Sequence, residues 1–426
     1  MQFIKKNHYY IFLCVYFFVA LSLIMNTLYF FNNEIIIGCI FILNLLWIYK
    51  WKNKEYFGKK FYLIYFFLTL LSVFLIRPVW ESDYARYFID GLHSAKNMPV
   101  YKTIPSKSRH AQDFSQAWKE SQYNEYGSIY PGFSVFVFKL AVFLSGENYK
   151  NFIYIFKLFA LIIGLTIALL ISKLQHGIYD SRTVILSLFH PLFILAWYIN
   201  LHFDFLFAFV ILMLVHTKKQ SIKVIVLALG FHIKYLIFLF LPFSSMDLKK
   251  AKNYVIFIIC LLMTAIFYHS GSDFLAMMKN TLVFGLDWEM NAGSFRLTRK
   301  ILGSFIFKMD IIKLSIIIQV LFIIIFFVIH NKIEKINKSN YWRIIFLFII
   351  TSPVVNPWYL TWIIPLILTS QKSTIYSHII TLPIYLSYSF YFIKHFQFVF
   401  YIEHLLFYLI LFMILKQSYK QTEPYL

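Results

Sequence analysis

"FYLIYFFLTLLSVFLIRPVWESDYARYFIDG", residues 61–91, sets a long apolar run directly against a charged segment. Residues 61–77 read as a membrane span, and two aspartates and an arginine follow within a few residues of its end. A charge beside hydrocarbon costs free energy unless it is paired or reaches water. The charges after residue 81 are therefore either a solvated loop start or part of a site.

The surrounding chain decides between soluble and membrane classes. It has 426 residues, 60% of them hydrophobic and 14% charged, and apolar runs recur along nearly its whole length. A soluble core of that composition would leave too much apolar surface in water, so the expectation is an all-α polytopic membrane protein. The net charge of +21 would suggest nucleic acid in a soluble protein. Here the lysines cluster between apolar runs, as cytoplasmic loops do, so no nucleic-acid partner is expected. Cys14, Cys39 and Cys260 all lie inside apolar runs and offer neither a disulfide framework nor metal-ligand spacing. The N-terminal "MQFIKK" and its long apolar sequel read as a retained first span.

Hydropathy places segments near residues 9–31, 35–49, 61–77, 130–146, 151–172, 183–199, 204–216, 221–233, 235–247, 253–269, 311–330, 342–355, 358–370, 375–392 and 397–415. Several are shorter than the roughly 20 residues of a perpendicular crossing. "MQFIKK", "YKWKNKEYFGKK", "HTKKQSIK", "DLKKAK", "HNKIEKINKSNYWR" and "KQSYKQ" are expected in the cytoplasm. The N-terminus is then cytoplasmic, and residues 78–129 and 270–300 are extracytoplasmic loops. "NLHFDF", "GFHIKY" and "NPWYLTW" fall at outer turns, so every polar constellation shares one face. Counting all segments as full crossings would put the C-terminal lysines outside. One segment within residues 128–182 is therefore expected to be re-entrant or interfacial, leaving about 13 to 14 spans.

Asp83, Arg86, Tyr87 and Asp90 are spaced i, i+3, i+4 and i+7, which puts all four on one helical face. A carboxylate there can act as general base toward a hydroxyl, and a guanidinium can hold a phosphate oxygen. An i, i+3 ion pair on a solvated helix fits the spacing equally well, and Trp80 and Tyr84 fit an aromatic belt. His202 and Asp204 lie at the edge of a span, where a His–Asp hydrogen bond or two metal ligands are the readings. Lys234 interrupts an apolar stretch and must snorkel, reach an aqueous pocket or meet an anion, with His232 two residues away. Glu125 is either a second acid, a metal ligand or a loop charge. Tyr130-Pro131-Gly132 marks a span entrance. Trp358 and Tyr359, in "NPWYLTW", are interfacial anchors or ring platforms.

Taken in order, these pieces resemble the bacterial polyprenyl-phosphate-dependent mannosyltransferases of the GT-C superfamily. That group shows Asp-x-x-Arg-Tyr-x-Trp-Asp-Gly after an early span, then Pro-x-Tyr, Tyr-Pro-Pro, Gly-His-x-Asp, a Lys-Tyr hairpin, Trp-x-x-Asn and Pro-Trp-Tyr-Leu-x-Trp. The counterparts here are Asp83, Arg86, Tyr87, Asp90 and Gly91, then "MPVY", "IYPG", "NLHFD", "HIKY", "DWEMNAG" and "NPWYLTW". Ile89 stands for the family tryptophan, Gly132 for the second proline and Leu201 for the glycine before the histidine.

The resemblance implies one transmembrane glycosyltransferase domain over residues 1–426, a GT-C-type multi-span bundle whose first outer loop carries interfacial helices. It implies a bacterial cytoplasmic-membrane enzyme that moves a hexose, mannose by expectation, from a polyprenyl-phosphate donor to a glycan or lipid-linked acceptor hydroxyl, with inversion. Asp83 is the expected base and Asp90 its reserve. Arg86, Tyr87, Glu125, His202, Asp204, His232, Lys234, Trp358 and Tyr359 are the expected substrate contacts. No nucleotide is implied, and a divalent metal is open. The competing readings are a polysaccharide polymerase or ligase, whose large loop comes later in the chain, and a lipid or sugar flippase, which favours repeated halves.

Overall fold

The computed structural model describes residues 33–53, 59–78, 81–108, 115–243, 251–264, 268, 271–287, 295–297, 300–301, 321, 342–352, 354–370, 373–390 and 398–422. Among these residues the structure is helical, with no β-strand. They group into two compact units. One comprises Met1–Leu75, Ile171–Ile185 and Glu289–Leu426, the other Ile76–Leu170 and Leu186–Trp288. Cys14, the span at 9–31, most of that at 311–330, and most of "DWEMNAG" lie outside the described residues.

The Tyr149–His176 helix is the described helix that is long and apolar enough by itself to cross a membrane. At 28 residues it is about 42 Å long against a hydrocarbon core of about 30 Å. Its ends are written in the sequence. The side chain of Asn148 accepts the Asn151 amide at 3.1 Å, and Gly177, at φ +74, follows the last turn. The expected span at 183–199 is broken: two helices, Ser181–Leu188 and Pro191–Ile199, are together long and apolar enough to cross a membrane but are bent by 42°. Pro191 has no amide to continue the first helix, and the His190 ring accepts the Leu192 amide at 3.3 Å. The second piece ends in a π turn over Ile194–Ile199. The segment expected at 235–247 begins as a 3₁₀ helix, Tyr235–Phe243.

In the unit holding residues 76–170 and 186–288, the Asp83–Ala95 helix packs along Gly132–Leu144. Its C-terminal end is a left-handed cap at Asn97, φ +55, with the Met98 amide reaching back to His93 O at 2.9 Å. Gly91 sets the spacing of the two helices. A β-carbon there would stand 2.6 Å from the backbone oxygen of Phe138, so only glycine lets the backbones come this close. Residues 270–300, expected as a loop, contain the Gly271–Asp287 helix. Asn280 of that helix donates to Tyr101 O and Ser128 O at 3.0 and 3.2 Å, stitching it to the 78–129 segment.

In the other unit, the Asn33–Asn53 helix packs on Thr374–Ile379 and Ile384–Phe390. A buried amide joins them: Asn44 donates to His378 O and Thr381 Oγ1, both at 2.9 Å. Cys39 is buried and unbridged.

Candidate active site

The four residues spaced along "DYARYFID" do share a helix, but that helix is not a solvated one. Every side chain from Tyr84 to Ser94 is buried, and Asp83 sits at its N-terminal end, where the helix dipole favours a negative charge. Arg86 closes forward on Asp90, Nε to Oδ1 at 2.8 Å. Its other nitrogens donate to the carbonyls of Tyr123 and Tyr126, each at 2.9 Å. Asp90 is wholly buried, and burial raises its carboxyl above the ordinary range while Arg86 opposes the shift.

Asp83 keeps 27% of its side chain exposed. His202 Nδ1 lies 3.6 Å from its Oδ2, longer than a hydrogen bond. Burial, helped by the neighbouring Asp204 charge, lifts the Asp83 carboxyl from 3.8 to about 6, against the pull of Lys234, Tyr87 and Arg86. Burial and the Lys234 charge hold the imidazole of His202 well below its usual range, so it is a neutral neighbour. Asp204 accepts from Lys234 Nζ at 2.8 Å. Lys234, whose side chain is 29% exposed, thus meets an anion while still reaching open space.

Tyr87 brings these parts together. Its ring stacks on Phe138 at 4.5 Å and meets Tyr130 edge-on at 5.1 Å. Its hydroxyl accepts the Phe203 amide at 3.5 Å, tying the Asp83 helix to the His202–Asp204 turn. That turn depends on Leu201 standing at φ +58, the left-handed region that glycine favours. The π turn before it, with Asn200 N–H on Leu195 O at 3.0 Å, is a form that recurs at functional sites.

The remaining expected residues make other contacts. Glu125 is exposed and accepts from Ser106 Oγ at 2.9 Å. His232 meets Tyr268 Oη at 3.3 Å, and its carbonyl accepts the Phe133 amide at 3.1 Å, which seats the Gly132–Leu144 helix. Trp358 and Tyr359 belong to the other unit, where Tyr359 stacks on Trp362 at 4.3 Å. Tyr84, offered to an aromatic belt, is buried and donates to Glu120 at 2.9 Å; Trp80 lies outside the described residues. Among the described residues no three His, Cys, Asp or Glu side chains are grouped to hold a metal ion.

Two features beside Asp83 escaped sequence reasoning. Tyr130 reads in the sequence only as a span entrance, yet its ring meets that of Tyr87 edge-on at 5.1 Å, next to the Asp83 helix. The backbone of residues 121–128 serves as acceptor for Arg86, and backbone carbonyls leave no mark in a sequence.

Residues 24–249 match the sequence profile of the MptA_B family, described as alpha-(1->6)-mannopyranosyltransferase, N-terminal domain. The matched region contains Asp83, Arg86, Asp90, Glu125, His202, Asp204, His232 and Lys234, and ends before Trp358. No curated protein and no solved structure matches the chain.

Proposed function

The chain belongs to the alpha-(1->6)-mannopyranosyltransferase family, and from that premise we propose that Asp83 is the general base of a mannosyl transfer from a polyprenyl-phosphate donor. The acceptor is a glycan or lipid-linked hydroxyl, and the site faces the extracytoplasmic side of a bacterial cytoplasmic membrane that the chain crosses about 13 to 14 times. Residues 78–129 form the catalytic loop and residues 270–300 the second outer loop of one transferase domain.

The observation that carries this reading is the contrast between two carboxylates on one helix. Asp90 is wholly buried and bound by Arg86. Asp83 is partly open and has a carboxyl raised to about 6, close to the value that suits a base working near neutrality. Asp83 takes the proton of the acceptor hydroxyl as its oxygen attacks the anomeric carbon. The bond from that carbon to the phosphate oxygen breaks, and the sugar inverts. Polyprenyl phosphate leaves with the electron pair.

Lys234 stabilises the charge gained by the leaving phosphate. The Asp204 carboxylate holds the ammonium in position before the donor arrives. Arg86, the other expected phosphate contact, has its guanidinium committed to Asp90 and two carbonyls, so its part is to fix the loop. Neutral His202 completes the polar wall beside Asp83.

The test is an assay of the purified chain in lipid with radiolabelled polyprenyl-phosphate-mannose and an α-mannoside acceptor. Wild type should transfer label, and Asp83→Asn should lose transfer by about 10²–10⁴-fold while still binding donor. Full transfer by Asp83→Asn would remove it as the base.

A further inference from the structure

Residues 121–128 are unusual in having a rigidly held backbone beneath exposed aromatic rings. Tyr123 and Tyr126 are 41% and 42% exposed, yet one guanidinium grips both of their carbonyls. The Ser106 amide donates to Asn124 O at 3.0 Å, and the Ser128 amide to Val100 O at 3.2 Å. The Asn124 side chain bonds Ser121 O at 3.1 Å. Gly127 lies so close to Tyr101 that a β-carbon would fall 2.2 Å from its backbone oxygen. The loop is therefore set against its support at both ends and in the middle.

Tyr123 also stands at φ +63, a conformation that costs a non-glycine residue free energy and tends to persist where function requires it. Its carbonyl is 2.9 Å from the guanidinium of Arg86, which lies one helical turn from Asp83. Burial raises its phenol, with smaller contributions from the charges of Asp83 and Glu81. The ring is thus carried on a backbone that has already lost its freedom, held by an arginine one helical turn from the partly open carboxylate. Preorganisation of this kind lowers the entropy cost of binding a ligand.

We infer that Tyr123 is a stacking platform for the pyranose ring of the acceptor, set by the Arg86-gripped loop beside Asp83. The inference rests on the proposed transfer, since it assigns the acceptor side of that same site. A sugar offers an apolar face of C–H groups with hydroxyls around its edge. A tyrosine ring covers the face and leaves the edge free to turn one hydroxyl toward Asp83.

The experiment uses the full chain in detergent micelles and soluble α-(1→6)-mannobiose as acceptor, whose binding requires no bilayer. Tyr123→Gly removes the ring and relieves the left-handed backbone, so it should fold at least as well as wild type. The expected result is a KM for mannobiose raised about tenfold, the loss of one covered ring face, with kcat nearly unchanged. Tyr123→Phe, which keeps the ring, should retain the wild-type KM. An unchanged KM in Tyr123→Gly, or a Phe variant as impaired as the Gly variant, overturns the platform.

Saturation-transfer NMR with mannobiose separates this claim from the catalytic one. At a mannobiose concentration near the wild-type KM, wild type and Tyr123→Phe should transfer magnetisation to the sugar ring protons several-fold more strongly than Tyr123→Gly, whether or not any variant turns over. Binding without turnover in wild type would sink the transferase reading and leave the platform standing. Equal transfer in all three variants would sink the platform alone.

Discussion

Arg86 and Asp90 are joined at 2.8 Å, one helical turn apart and both buried, and this pairing decides what the other aspartate on the helix can do. Because the guanidinium is turned toward Asp90 and the 121–128 loop, the Asp83 carboxylate is left facing His202 and the Asp204–Lys234 pair. A sequence with one arginine between two aspartates permits closure in either direction. Closure toward Asp90 makes one carboxylate a structural ion and leaves the other available for chemistry.

The Asp83 carboxyl at about 6 gives a pH dependence with two opposite signs. As a base it must be ionised, so kcat/KM should fall as pH drops below about 6. Stability runs the other way. The folded chain holds this proton more tightly than an unfolded aspartate near 3.9, so stability is lost as pH rises from about 4 to 6. Asp83→Asn should therefore melt higher than wild type at neutral pH, with the gap closing below about pH 4. A flat rate profile down to pH 5, measured on wild type, would contradict the assignment.

Asp90→Ala should unfold the chain far more readily than Asp83→Ala. Removing one partner of a buried pair strands the other charge and costs about 3–5 kcal/mol. Here the stranded group would be Arg86, whose remaining bonds to Tyr123 and Tyr126 do not neutralise it. Denaturation in mixed micelles measures the difference, and equal losses for the two variants would mean the pair is not the anchor described.

Gly91→Ala tests the contact that places the helix. Its new methyl would meet the Phe138 backbone at 2.6 Å, and a backbone atom has no rotamer through which to yield. Overpacking of this kind costs about 1–3 kcal/mol, and the shift should also displace Asp83 from the His202 turn. Activity is expected to fall more than stability, since misplacement by about 1 Å costs about a hundredfold in rate. An active, normally stable Gly91→Ala chain would show the helices free to separate.

Part of the candidate site was legible because charges beside apolar runs have few affordable places to go. Asp83, His202, Asp204 and Lys234 each stand at the end of an apolar segment, and they meet at one place. What was hidden lies in the backbone. The carbonyls of Tyr123 and Tyr126 that hold Arg86 have no sequence signature, and the π turn before Asn200 cannot be read from residues that suit an ordinary helix. Hydropathy also joined residues 183–199 into one segment, because it averages over the break that Pro191 makes. Its position was visible; its 42° consequence depends on how the chain packs afterwards.

Leu201 offers the sharpest test of that backbone. The pattern that the sequence resembles has glycine before the histidine, and the structure holds Leu201 at φ +58, where a side chain costs about 1–2 kcal/mol. The residue is also fully buried, so truncating it forfeits about 2–5 kcal/mol of packing. The packing loss exceeds the strain, and Leu201→Gly should therefore destabilise. The informative comparison is with Leu201→Ala, which loses almost the same packing and keeps the strained conformation. Glycine in place of alanine ordinarily weakens a chain, yet here Leu201→Gly should be the more stable variant by about 1 kcal/mol. It should also retain more activity, because the His202–Asp204 turn keeps its path. If alanine proves the better replacement in both unfolding and transfer assays, the turn does not adopt the left-handed form on which the Asp83–His202 juxtaposition depends.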